Sequence, residues 1–544
     1  MLTDATDPHR RLPDAEAWKL SKGWRAVHDT IPTLGRRPLD RAFLDRPLVA
    51  SLATVAARCP DHPAVVDPTS VTAYGNLVRL IGRIGGAIRN APGAGTPFGI
   101  LLPDTGVYAA ALFAGIIAGR PCVPLDTANP PGRNADIARV AGIGLLLAAA
   151  DDVAARTVAV DADVLAIADG VSLADAVDAT DAWLNMDEPA YILATSGSIG
   201  QPKLIARGQR TIAHRGCQFG DTMDLSGRDR VLFGGGSPGT YADLAHLLAQ
   251  LRAGATAHLI NLRQQGMRGL LKRLDDDRIT VIRAGASLLR TVSSLAGADR
   301  AMAHLRLVRF SGEQPTMDDV RLLHRVLDPA CRIANGYGST EAANFQWTAS
   351  PHDMIDPVRV AAGIPDSGVD ALVVDELAHL CPPGHVGELV IRSRYNALGE
   401  WQNGHCVPGR LIPDPGDPTA RIYFTGDAAR QDSNGILLIV GRIDRQVKIN
   451  GQRVEPVEIE GAIREAPEVL DAAVLPRTVG DAATLLAFVV LRPGSSADVV
   501  PALRSSLRDR LPAYMVPSRI VLLDAMPRLP GGKVDGVSLL RQFT

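Results

Sequence analysis

From about residue 50 to residue 340, short apolar runs alternate with helical apolar stripes, and this alternation constrains the fold more than any other feature. One stripe is Leu77, Leu80, Ile81, Ile84 and Ile88; another is Leu244, Leu247, Leu248 and Leu251. Between the stripes lie strand candidates at Phe98–Leu102, Val164–Ala168, Tyr191–Ala194, Val231–Phe233, Ile279–Ala284, Leu305–Phe310 and Cys331–Asn335. Strands alternating with helices predict mostly parallel layers covered on both faces. After about residue 365, prolines and glycines crowd in, and short strands such as Val386–Arg392 and Ile436–Val440 predict a β-rich subdomain. A third texture starts near 444: Gln446–Ile449 and Gln452–Val454 flank Asn450-Gly451, the pair a type I′ hairpin prefers. A helix after Pro456, strands near 485–492 and 519–523 and a helix near 500–510 complete a small α+β unit. The expected fold class is α/β. A large multi-subdomain N-terminal body with mostly parallel sheets and a β-rich subdomain precedes a small α+β C-terminal unit.

Composition removes several classes of function. Of 544 residues, 46% are hydrophobic, and 57 Lys+Arg face 59 Asp+Glu. That apolar content excludes a disordered chain, and the neutral balance excludes nucleic-acid binding through overall basicity. Six cysteines (Cys59, Cys122, Cys217, Cys331, Cys381, Cys406) are scattered without a C-x-x-C pair, which reads as free thiols in a reducing cytosol. The N-terminus lacks an apolar signal region. The longest apolar runs, 107–119 and 140–150, fall short of the roughly 20 residues that span a bilayer. The expected setting is cytoplasmic, with no membrane and no nucleic acid as partner.

Five loops carry chemistry-bearing residues. Thr195-Ser196-Gly197-Ser198-Ile199-Gly200-Gln201-Pro202-Lys203 follows an apolar strand, and its hydroxyls, glycines and lysine suit a loop wrapped around phosphates. It is not a Walker loop, because the G-x-x-x-x-G-K-[ST] spacing fails and Pro202 removes an N–H. Asn335-Gly336-Tyr337-Gly338-Ser339-Thr340-Glu341 follows a strand and offers a hydroxyl and a metal-binding carboxylate. Tyr423-Phe424-Thr425-Gly426-Asp427 places a carboxylate after a tight turn, able to accept from two ribose hydroxyls. Gly441-Arg442-Ile443-Asp444 opens the C-terminal unit, and Leu529-Pro530-Gly531-Gly532-Lys533 puts a lysine on a Gly-rich loop. Asp275-Asp276-Asp277 reads as a solvated loop. His214 reads as packing on a helix.

In this order the five strings resemble the adenylate-forming superfamily of acyl-CoA synthetases, luciferases and nonribosomal peptide synthetase adenylation domains, over about residues 50–544. Gln446-Val447-Lys448-Ile449-Asn450-Gly451 and Leu511-Pro512-Ala513-Tyr514-Met515-Val516-Pro517 favour the peptide-synthetase branch. The resemblance implies an N-terminal extension over 1–45, an adenylation domain over 46–443 and a mobile lid over 444–544. It implies activation of a small carboxylic acid by Mg²⁺ and ATP as an acyl-adenylate, then transfer to a thiol. Thr195, Ser196, Gly197, Ser198, Gly200 and Lys203 would hold the β- and γ-phosphates. Gly336 and Tyr337 would border the adenine and acyl pocket, Thr340 would meet the α-phosphate, and Glu341 would bind Mg²⁺. Asp427 and Arg442 would hold the ribose, Asp444 would be the hinge, and Lys533 the catalytic lysine.

Two departures bear on the substrate. Ile199 stands where the family usually has a hydroxyl. Where amino-acid-activating relatives commonly place an aspartate for the α-ammonium, the alignment gives Tyr241, with Asp243 two residues on. Arg283, Arg309, Ser311 and Asn344 would line the acyl pocket. An arginine there needs an anion or acceptor to offset its desolvation. The expected substrate is a small amino, hydroxy, keto or dicarboxylic acid, and the arginines favour one without a conventionally recognised α-ammonium unless both pair with protein carboxylates. Only nine residues follow Asp535, so the acceptor is expected to be a carrier protein in trans, or free CoA. A rival reading makes Ser237 of Gly235-Gly236-Ser237-Pro238-Gly239 the nucleophile of a serine hydrolase. Residues 1–45, with Trp18 and Trp24, either pack on the core or dock a partner.

Overall fold

A computed structural model describes residues 40–149, 158, 163–167, 185–195, 202–233, 239–353, 355–443, 447–449, 452–454, 456–479, 482–492, 494–496, 498–527 and 534–543. Of the expected residues, the extension up to 39, the phosphate-loop positions Ser196, Gly197, Ser198 and Gly200, the hydrolase candidate Ser237, the hinge Asp444 and Lys533 lie outside these.

Two large sheets form the body. The first has nine strands; six of them, Arg332–Tyr337, Leu307–Ser311, Val281–Ala284, Arg230–Phe233, Thr256–His258 and Pro63–Val66, run parallel side by side. Antiparallel strands close both edges of that run. The second sheet has eight strands, with a parallel run of Pro189–Thr195, Cys122–Pro124, Phe98–Leu101, Leu145–Ala149 and Asp163–Ile167. Each strand expected from the apolar runs is present, shifted by at most a few residues at its ends.

Helices Leu48–Arg58, Tyr74–Asn90, Gly106–Ala118, Gln209–Thr222 and Tyr241–Ala253 all contribute to the largest core cluster. Gly106–Ala118 is buried on every side, which explains why it is apolar all round instead of showing one stripe. Its ends are set locally: Thr105 caps the N-terminus, and Gly119, at φ +67°, takes the left-handed position that ends it. The neighbouring helix approaches so closely that a Cβ on Gly85 would stand 2.5 Å from Ile117 Cβ. Among the described residues no helix is long and apolar enough to cross a membrane. All six cysteines are free thiols.

The β-rich subdomain is an antiparallel five-stranded sheet built from Asp370–Val374, Gly387–Ser393, Leu411–Asp414, Asp417–Gln431 and Leu437–Arg442. Not all of the chain after 365 belongs to it. Gly399–Gln402 returns to the second large sheet by pairing with Lys203–Gly208. This places Glu400 beside the strand that leaves the phosphate loop.

The C-terminal unit has its own core. Val447–Ile449 and Gln452–Val454 pair as the expected hairpin, and helix Pro456–Arg464 follows. Val469–Val479, Ala482–Leu491 and Arg519–Leu523 form a three-stranded sheet. Arg133 on helix Pro131–Ala141 of the body reaches Glu458 at 2.8 Å, with both side chains buried. A buried ion pair of this kind orients the surfaces it joins, since neither charge can be left without its partner cheaply.

Candidate active site

Strand Pro189–Thr195 and strand Lys203–Gly208 form an antiparallel hairpin whose last register pair is Thr195 with Lys203. Thr195 Oγ1 donates to the Lys203 carbonyl at 3.3 Å, so the loop between them starts and ends at one point. Lys203 Nζ lies 2.9 Å from Glu400 Oε1 and 3.7 Å from Glu341 Oε1. The hairpin base and the expected metal carboxylate are thus neighbours.

Thr340 is held by a residue that sequence reasoning missed. Arg207, fully buried, donates from Nε at 2.9 Å and from Nη2 at 2.7 Å to the Thr340 carbonyl, and from Nη1 at 2.8 Å to the Tyr395 carbonyl. Its planar fork fixes the segment 340–342 against the hairpin strand. These contacts join residues more than 130 positions apart, with no local signal to reveal them. The same guanidinium stacks 3.8 Å from the centroid of the Tyr241 ring.

Gly336 and Tyr337 do not follow a strand; they end one, Arg332–Tyr337. Their glycines answer to sterics, not to a turn. A Cβ on Gly336 would stand 2.2 Å from Arg309 Nη2, and one on Gly338 1.4 Å from Asn344 Oδ1. Each glycine vacates the volume that a polar pocket side chain fills.

Asp427 likewise lies within the long strand Asp417–Gln431 and not beyond a free turn, although Gly426 at φ +71° and a register shift mark the place. Tyr337 Oη donates to Asp427 Oδ2, and Arg442 Nη1 donates to Asp427 Oδ1 at 2.8 Å. Arg442 is the register partner of Asp427 on strand Leu437–Arg442. Burial and the Asp427 carboxylate hold the Tyr337 phenol well above its ordinary pKa, so it stays a donor.

Around the acyl pocket the two arginines part company. Arg283 Nη1 donates to Asp243 Oδ1 at 2.8 Å, and Thr240 Oγ1 donates to Asp243 Oδ2 at 2.6 Å. Arg283 therefore pairs with a protein carboxylate, and Asp243 is committed to it. Arg309 does not: it bonds a neutral group, Gln346 Oε1, through Nη1. Ser311 ends the same strand as Arg309, and Asn344 is buried with Nδ2 lacking a partner. Tyr241 is buried at the start of its helix.

One further expectation changes, and the reading of His214 holds. Asp275 and Asp276 sit on the last turn of helix Leu262–Asp276 rather than on a loop, paired with Arg300 and Lys272. Among the described residues no group of three or more His, Cys, Asp or Glu is placed to hold a metal alone. His214 packs: its ring stacks on Tyr395 at 3.8 Å and its Nε2 meets the Ser367 carbonyl at 2.7 Å. Burial lowers its pKa to about 3, so it is neutral at physiological pH.

Comparison with known proteins places this geometry. The model of the AMP-binding enzyme family matches residues 52–401, and that of the AMP-binding enzyme C-terminal domain matches 458–533. Phosphinothricin tripeptide synthetase PhsC of Streptomyces viridochromogenes is 33% identical over 91% of this chain and 45% of its own length. Enterobactin synthase component F of Escherichia coli is 29% identical over 90% of this chain and 39% of its own. The chain thus spans less than half of either relative. The solved structure of holo-PA1221, a nonribosomal peptide synthetase protein containing adenylation and PCP domains, superposes with a TM-score of 0.77 at 26% identity, covering 92% of this chain and 86% of that one. A malonyl-CoA ligase shares the fold, with a TM-score of 0.72 at 22% identity over 86% of this chain and 97% of that one. The chain belongs to the AMP-binding enzyme family, the adenylate-forming ligases that its ordered loops resemble.

Proposed function

We propose that the chain activates a small carboxylic acid with ATP as an acyl-adenylate and passes the acyl group to the phosphopantetheine thiol of a separate carrier protein. One observation carries this reading. A line of contacts runs from the Thr195–Lys203 hairpin to Glu341, and the strand and loop from Tyr337 to Glu341 continue it to Asp427 and Arg442. Its chemistry follows the order of a nucleotide: hydroxyl and cation for phosphates, carboxylate for a metal, aromatic ring and paired carboxylate for the nucleoside.

In the first half-reaction a carboxylate oxygen of the acid attacks the α-phosphorus, the new C–O–P link forms, and the α–β bond breaks to release pyrophosphate. In the second, a thiolate attacks the acyl carbon and AMP leaves. Charge grows on phosphate oxygens in the first step, and positioned cations lower its cost. Lys203 and Lys533 are the ammonium groups assigned to that work, and Thr340 the hydroxyl at the α-phosphate. A buried single carboxylate suits Mg²⁺, which keeps waters and phosphate oxygens as its other ligands. Glu341 would hold it, and the ion would screen the phosphate charges. Asp444 is the assigned pivot between 46–443 and the lid, allowing one site to serve both half-reactions.

The carrier is favoured over free CoA by the kinship with peptide synthetases and with a protein containing adenylation and PCP domains. The test combines enzyme, ATP and acid with holo-carrier or with CoA, followed by intact-mass and acyl-AMP measurement. Lys533→Ala is expected to cut acyl-AMP formation by roughly a hundredfold or more. Faster loading of CoA than of the carrier would replace the carrier as acceptor, and acyl-AMP formation untouched by Lys533→Ala would refute the assigned mechanism.

A further inference from the structure

Arg283 and Arg309 are register partners on adjacent parallel strands, so their side chains leave the sheet on the same face. Like charges set opposite each other in a sheet repel. A third guanidinium, Arg215, joins them from helix Gln209–Thr222, lying 3.6 Å over the Phe219 ring while Arg309 lies 4.6 Å over the same ring. Among the described residues two carboxylates serve these three cations. Asp243 pairs with Arg283, and Asp366 Oδ2 accepts from Arg215 Nη1 at 3.0 Å. The other Asp366 oxygen accepts from Gln346 Nε2 at 2.9 Å. Among the described residues one guanidinium has no carboxylate in direct contact, and it is the one that is 1% exposed, Arg309, which feels Asp366 only at longer range.

The unused part of Arg309 has a definite shape. Nη1 bonds Gln346 Oε1, and Gln346 is itself fixed by Thr222, Asp366 and the Gln218 carbonyl. Nε and Nη2 have no partner among the described residues. These two N–H groups form the side edge of the guanidinium, two parallel donors spaced to meet both oxygens of one carboxylate. Among the described residues the nearby unpartnered donors are Arg215 Nε, Gln218 Nε2 and Asn344 Nδ2, with His246 Nε2 and the Tyr241 hydroxyl also unpartnered beside them. A cluster of buried donors around an uncompensated cation calls for an acceptor-rich anion. The cluster is hostile to an ammonium for the same reason, since both carboxylates are taken and Tyr241 carries the Arg207 guanidinium on its ring. Burial and the Arg215 and Arg283 charges press the Arg309 pKa well below its ordinary value, an effect that a bound anion would reverse.

We infer that Arg309 is a specificity-determining residue that binds a second carboxylate, so that the acid activated by this enzyme is a small dicarboxylic acid. Gly336 is part of the same device, because only a residue without Cβ lets the guanidinium lie across its strand toward Gln346. The inference deepens the adenylation reading and rests on it for the reaction, though not for binding.

The test uses the full chain with malonate, succinate and glutarate, each against its own monoamide, which matches it in size but lacks the second charge. Acid-dependent ATP–pyrophosphate exchange is expected to favour at least one diacid over its monoamide by about tenfold or more in kcat/KM. Arg309→Gln should erase that ratio by raising KM for the diacid far more than KM for the monoamide. Arg309→Lys should restore part of it, as a charge without the fork. Thermal shift by the diacid, measured without ATP, should be present in the wild-type chain and absent in Arg309→Gln. Should Arg309→Gln fail to fold, the wild-type diacid-to-monoamide ratio and Arg309→Lys still decide. Equal use of diacid and monoamide, a preference for neutral monoacids, or a diacid preference surviving in Arg309→Gln would overturn the inference and leave adenylation standing. Arg309-dependent diacid binding without exchange for any acid would do the reverse.

Discussion

Replacing Gly336 with alanine adds one methyl group to a strand whose backbone alanine can adopt without strain, so the consequence is steric and can be worked from the structure. The new Cβ would stand 2.2 Å from Arg309 Nη2, 2.8 Å from its Cζ and 3.0 Å from its Nε, where ordinary contact begins near 3.4 Å. The guanidinium must retreat by more than an ångström. It is buried, and the Phe219 ring and Gln346 already bound it, so it cannot swing into solvent. Overpacking by a methyl group costs about 1–3 kcal/mol. Losing the charged hydrogen bond to Gln346 adds about 1.5–3 kcal/mol. Together they predict a loss of about 2.5–6 kcal/mol, seen as a melting temperature lowered by about 2–5 °C together with a raised KM for the acid. The same substitution on an Arg309→Met background should cost less than about 1 kcal/mol, because a flexible thioether can yield. Differential scanning calorimetry of the four chains of this cycle makes the measurement. Equal destabilisation on both backgrounds, or none on either, would refute the claim that Gly336 is glycine for the sake of Arg309.

Further outcomes follow from other contacts. Tyr337→Phe removes the donor to Asp427, a bond to a charged group worth about 1.5–3 kcal/mol. KM for ATP should rise about tenfold or more while KM for the acid stays constant, and a change confined to the acid would contradict the nucleoside assignment. Burial lowers the pKa of His214 to about 3 and of His258 to about 4, and that of His246 well below the ordinary 6.5. Below pH 6.5 the unfolded chain therefore binds protons that the native chain refuses, so stability falls as the pH drops from about 6.5 toward 4 and levels off below the folded values. The slope approaches about 4 kcal/mol per pH unit for the three histidines together. A melting temperature that stays flat from pH 6.5 to 4.5 would contradict their burial, and His214→Gln should flatten the slope by about a third. Arg133→Met strips Glu458 of its 2.8 Å guanidinium partner and should destabilise the chain by about 3 kcal/mol. Small-angle scattering should then show a larger radius of gyration; an unchanged profile would mean that the ion pair does not hold the C-terminal unit against the body.

Much of this organisation is legible in the sequence because strands and helices of a buried α/β body announce themselves by period. The stripes around Leu77–Ile88 and Leu244–Leu251 fall on helices Tyr74–Asn90 and Tyr241–Ala253. The antiparallel subdomain and the separate C-terminal core follow the changes of texture near 365 and 444. What sequence reading misses is contact across long stretches of chain. Arg207 clamps Thr340 from 133 positions away, and Arg215, Asp366 and Gln346 form one network from a helix, a loop and a strand. No periodicity marks such residues, although an arginine in an otherwise apolar strand such as Lys203–Gly208 is a signal in itself, since it must find acceptors inside. The glycines of Asn335–Glu341 mislead for a different reason. A turn and a cavity both favour glycine, and only the neighbours tell them apart. Asp243, two residues from the position expected for an ammonium partner, is spent on Arg283, which only the adjacent strand reveals.

Under the proposed function this chain joins a small acid to AMP. ATP–pyrophosphate exchange across a panel of amino, hydroxy, keto and dicarboxylic acids tests it most directly, with the wild-type chain and Lys533→Ala side by side. Exchange is expected to require both Mg²⁺ and an acid, to respond to one class of acid far more than to the others, and to collapse in the variant. Exchange independent of added acid, or none with any of them, would contradict it.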